Sequence, residues 1–97
     1  MRNVAIDSTT LYYVGGSSIL DKLYKRSISS SGTIGSTETE IRDIGTGTII
    51  EIKTHPNTDG FIGIVMTGSS NYYVSKVELV SSTGSVLKHM EDRKSVV

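Results

Sequence analysis

The chain has no cysteine and no tryptophan, one proline and one phenylalanine in 97 residues. Without cysteine there are no disulfides, no thiolate catalysis and no Cys-based zinc site. That favours a cytoplasmic or virion setting over a disulfide-stapled secreted one. Charge of one sign is also missing: ten basic residues balance ten acidic ones. The balance holds in each half, with five of each sign up to Thr48 and five of each after it. This argues against non-specific attraction to nucleic acid or anionic lipid. No run approaches the roughly 18 apolar residues that a membrane-spanning helix needs, and Met1 to Asp7 lacks the apolar stretch of a signal peptide.

What is present is a series of short apolar runs closed by turn residues. Thr48 to Lys53 is followed by Pro56-Asn57-Thr58-Asp59-Gly60. Phe61 to Met66 is followed by Thr67-Gly68-Ser69-Ser70-Asn71, and Tyr72 to Val80 by Ser81-Ser82-Thr83-Gly84 before Val86-Leu87. This is the pattern of an antiparallel meander. Ile62, Ile64 and Met66 share one face, with Phe61 and Val65 on the other, as in a central strand covered on both sides. Ile50 and Ile52 are expected on one face and Ile49 on the opposite one. Upstream, Val4 to Ile6 and Leu11 to Val14 read as a hairpin around Asp7-Ser8.

Ser17 to Arg26 is the ambiguous segment. Ile19, Leu20, Leu23 and Tyr24 form a helical stripe, with Ser17 or Ser18 as cap and Asp21 in the first turn, which predicts a short helix. The competing reading is a strand from Ile19 to Ile28, in which Leu20, Lys22, Tyr24 and Arg26 alternate. Residues 27–37, rich in Ser and Gly, read as a flexible loop. Thr37 to Ile44 reads as an edge strand, and 88–97 as a frayed tail. The expected fold is therefore mainly β: one domain over 1–87, a small antiparallel sandwich or partly open barrel, with at most one helix.

Function is harder to read. Tyr12, Tyr13, Tyr72 and Tyr73 come in two pairs, and within each pair the rings point to opposite faces. Outward rings suit stacking on sugars or bases, or anchoring a protein interface. Lys22, Lys25 and Arg26 beside Tyr24 suggest a small basic patch. Gly45, Thr46, Gly47 and Thr48 have the small residues of an anion-cradling loop, yet lack the Gly-Lys-Ser/Thr ending of a phosphate loop. A glycine-bent approach to a strand is the simpler reading. His55 and His89 lack the companions that a metal site or a Ser-His-Asp arrangement needs. Glu38, Glu40 and Glu51 are the only carboxylate grouping worth inspecting for acid–base work.

These features predict a non-catalytic binding or assembly module that needs no cofactor. Its expected partner is itself or another protein, since a small β-rich core leaves sheet edges to hide. Size and composition fit a small viral component. A small-ligand sponge or inhibitor, holding a nucleotide or glycan between subunits through Arg26 and Gly45 to Thr48, is one alternative. An OB-like single-strand binder is another.

Overall fold

A computed structural model of the chain describes residues 3–68 and 74–91, with the side chains of Ser75 and Glu91 left aside. Among these residues there is no helix. Eight strands form two antiparallel sheets. The first contains β1 (Val4–Ile6), β2 (Thr10–Gly15), β3 (Lys22–Ser27) and β4 (Thr39–Asp43), in that order. The second contains β5 (Thr48–Thr54), β6 (Phe61–Thr67), β7 (Val74–Ser81) and β8 (Val86–Glu91). Both are plain meanders, and they pack as a small sandwich that does not close into a barrel.

Alternation along the strands decides what goes inside. The first sheet sends in Tyr12 and Leu23, and the second sends in Ile49, Ile52, Ile62, Ile64, Met66 and Val80. The expectation that Ile50 and Ile52 share a face fails at one residue. Ile49 pairs with Met66 and Glu51 with Val65, so Ile50 is the extra residue of a β-bulge. The bulge turns both Ile49 and Ile52 into the core and leaves Ile50 half-buried. Ile41 is the extra residue of a similar bulge between β3 and β4, and it packs against the same core.

The helix expected over Ser17 to Arg26 is corrected by β3, which pairs with both β2 and β4. Leu23 and Lys25 point inward, whereas Tyr24 and Arg26 point outward. Ile19 and Leu20 precede the strand, and Gly16 shows why a loop is needed here. A Cβ on Gly16 would sit 1.9 Å from the carbonyl oxygen of Ile19. The backbone then serves the sandwich, with the Leu20 carbonyl accepting from Ile49 N–H at 2.7 Å and the Asp21 carbonyl from Ile44 N–H at 3.0 Å.

Side-chain contacts also tie the sheets together. At one end the Asp7 carboxylate accepts N–H bonds from Thr9 (2.9 Å), Thr10 (2.8 Å) and Gly60 (2.9 Å). Asp59 accepts in turn from the Ser8 backbone and hydroxyl. Burial alone pushes the Asp7 carboxyl up, but the N–H donors of Gly60, Thr9 and Thr10 together outweigh it and hold the pKa below its ordinary value. Close by, Lys25 Nζ donates to the Ser82 carbonyl at 2.6 Å, and the Ser82 N–H donates to the Gly60 carbonyl. Midway along β7, Glu78 is gripped by Arg42 of β4 through two bonds of 2.8 Å. Glu78 is only 3% exposed. The mixed face of β7, which carries Lys76, Glu78 and Val80, is thus the inner one.

β8 runs to Glu91, past the end of the apolar pattern at Leu87. The segment read as a flexible loop holds a bridge between Ile28 and Ile34 and a turn in which Gly32 N–H donates to the Ser29 carbonyl at 2.9 Å.

Candidate functional site

Two surfaces remain after the core is filled: the outer face of each sheet. On the first sheet, Val4, Tyr13, Tyr24 and Glu40 lie in one cross-strand row, and Ile6, Leu11 and Arg26 in the next. The Tyr13 and Tyr24 rings stack at 5.7 Å. Their pairing follows from register, since they sit directly opposite on β2 and β3. The Arg26 guanidinium lies 5.9 Å from the Tyr13 ring centre, and its Nε donates to the Tyr13 hydroxyl at 3.1 Å. That hydroxyl donates to the Glu38 carboxylate, which also pairs with Arg26 at 3.7 Å. Burial and the bond to Glu38 raise the Tyr13 pKa against the opposing pull of Arg26.

Tyr13 and Arg26 help wall an open groove of about 540 Å³ whose other lining residues are Asn3, Val4, Leu11, Val14 and Ile34. Asn3 supplies an unusual feature. Its side-chain oxygen is buried and has no hydrogen-bond partner among the described residues.

The structure separates several groupings suggested by the sequence. Tyr12 lies wholly in the core, where burial pushes its hydroxyl up to about 12, and donates to Asp7 at 3.2 Å. Tyr13 faces the groove. Tyr72 and Tyr73 lie outside the described residues. The basic patch does not form: Lys25 points into the sandwich, and Lys22 lies near Asp21 (3.4 Å) and Asp43 (3.8 Å). Glu51 sits on the second sheet, away from Glu38 and Glu40.

The Gly45 to Thr48 loop satisfies itself. Gly45 N–H donates to Asp43 at 2.9 Å and Thr46 N–H to the Ile44 carbonyl at 2.9 Å. An anion arriving there meets a carboxylate already in place. Gly47 has φ +85°, and a Cβ there would fall 2.1 Å from the Thr67 carbonyl oxygen, so this glycine serves the entry to β5. His55 accepts the Asn57 N–H within its own turn, and His89 lies opposite Glu78. No group of three or more metal-ligating side chains converges among the described residues.

Compared with known proteins, the chain matches no family, no curated protein and no solved structure. The functional reading therefore rests on the geometry of this molecule.

Sequence reasoning missed Glu38 and Ile34 as neighbours of Tyr13, because a long connection returns them to the sheet. It expected cover on both faces of β6 but did not assemble the outer face of the second sheet as a site. There Phe61, Val65, Val77 and Leu79 form a half-buried apolar stripe, and Met90 extends it, 67% exposed. Gly63 opens a hollow in the middle of this stripe, of about 380 Å³, walled by Val77, Leu79, Lys88 and Met90. The available signal was β6 itself, which is apolar on both faces and carries a glycine inside the strand at Gly63.

Proposed function

We propose that this chain is a non-catalytic binding and assembly module that works as a homo-oligomer. The supporting observation is the apolar outer stripe of the second sheet. A strand that is oily on both faces belongs between two covering layers, and the described residues of a single chain supply only one. Apolar side chains that stay in contact with water in the monomer gain roughly 25 cal/mol per Å² when a second surface covers them. Closed two-fold dimers are the commonest way for a soluble chain to provide that cover. The proposed setting is cytoplasmic or virion-associated, in keeping with the cysteine-free sequence. Among the described residues, no helix is long and apolar enough to cross a membrane. Light scattering across a concentration series tests the assembly reading: a mass of one chain at every concentration contradicts it.

A second reading is favoured by the orphan oxygen of Asn3. An unmatched buried acceptor is costly, and a ligand donating an N–H or O–H would satisfy it. The first-sheet groove would then hold a small polar ligand such as a glycan or nucleotide against Tyr13 and the apolar floor. A thermal-shift screen with sugars and nucleotides tests this, since a ligand at a hundred times its Kd adds about 2.7 kcal/mol.

A further inference from the structure

Among the described residues, nothing explains Gly63 within the single chain. It lies in the middle of β6, where glycine weakens a strand. Its φ is not in the left-handed region, and a Cβ built on it would meet nothing nearer than the Lys53 carbonyl oxygen at 3.7 Å, an ordinary contact. A glycine kept in a strand without a local cause marks a place where something outside approaches closely.

The registers around Gly63 indicate what fits. One cross-strand row on the outer face reads Glu51, Val65, Val77, Met90. The next row, two residues along each strand, reads Lys53, Gly63, Leu79, Lys88. The rows are about 7 Å apart. Consider a second copy placed face to face by a two-fold axis that lies in the contact plane and runs across the strands between these rows. The first row then lies on the second row of the other copy. Glu51 meets Lys53 of the partner subunit, and Val65 enters the hollow over Gly63 of the partner subunit. Val77 covers Leu79 of the partner subunit, and Met90 lies along the aliphatic stem of Lys88 of the partner subunit. Each contact occurs twice by symmetry. Glu51 and Lys53 have no ion-pair partner among the described residues of their own chain, so both charges are available.

From this match of charge and shape we infer that the outer face of the β5–β8 sheet is a two-fold interface between copies of this chain, keyed by Val65 in the Gly63 hollow. This rests on the assembly reading and adds the interface to it. The test combines light scattering with far-ultraviolet circular dichroism. Gly63→Val should fold with an unchanged β spectrum, because the chain has room for the side chain, and should run as a monomer. E51K and K53E should each weaken the dimer roughly tenfold by setting like charges face to face. The double variant E51K/K53E should return to within about threefold of the parent, since the pair is only reversed. A parent that stays monomeric overturns both the assembly reading and this interface. A dimer indifferent to Gly63→Val and to both charge reversals overturns the interface alone.

Discussion

Arg42 and Glu78 show how one pair of side chains sets conditions for the whole sandwich. The carboxylate is buried, and two parallel 2.8 Å bonds from the guanidinium compensate its lost hydration. Removing one partner strands the other. Arg42→Met should cost about 3 kcal/mol in urea unfolding, while the double variant Arg42→Met, Glu78→Leu should recover most of it. The hydrogen bonds from Arg42 hold Glu78 below its ordinary pKa of 4.5, and Asp7 is likewise held below 3.8. A carboxylate with a depressed folded pKa stabilises fully above its unfolded value and loses that contribution as pH falls through the folded one. Stability should therefore be flat from neutral pH down to about pH 5 and decline below about pH 4.5 as both groups are protonated. Urea midpoints measured from pH 7 to pH 3 check this. The place of Glu78 was not legible from its own strand: β7 is mixed on one face and apolar on the other. Which face turns inward is decided by β6, whose isoleucines pair across to it.

At the scale of elements, alternation carried most of the information. β2 and β6 follow it, as does β7 from Lys76 onward, and the hairpin around Asp7 is written in its turn residues. Where reading failed, the cause was a local departure from period two. Ile50 and Ile41 are single inserted residues that no propensity distinguishes from their neighbours, and only partner register exposes them. Ser17 to Arg26 carries helical spacing by coincidence: Ile19 and Leu20 belong to a loop, and only Leu23 and Tyr24 belong to the strand. Two substitutions test the assigned elements. Ile64→Asp places an unpaired charge in the core of an inner strand and should abolish the folded β spectrum, because burying a lone carboxylate costs far more than a small domain's stability. Asp7→Ala removes the acceptor that joins the β1–β2 turn to Gly60. It should lower stability by about 1 to 2 kcal/mol in urea unfolding, comparable to loss of a capping side chain.

For the molecule as a whole, the two outer faces divide the work. The first sheet offers stacked tyrosines, an Arg–Glu pair and a groove. The second offers an apolar stripe with charged ends and a glycine hollow. Tyr13 and Arg26 of the groove were visible in the sequence as residues that a strand turns outward. Ile34 and Glu38 arrive through a connection whose path no periodicity records. The Gly63 hollow needed the registers of three strand pairs before its neighbours were known. The proposed assembly stands on a second copy of the chain covering the outer face of the sheet that is apolar on both sides. The most direct measurement is the solution mass of the unmodified chain by sedimentation equilibrium at micromolar concentrations and neutral pH. A mass of twice one chain is predicted; a single-chain mass throughout would contradict the claim.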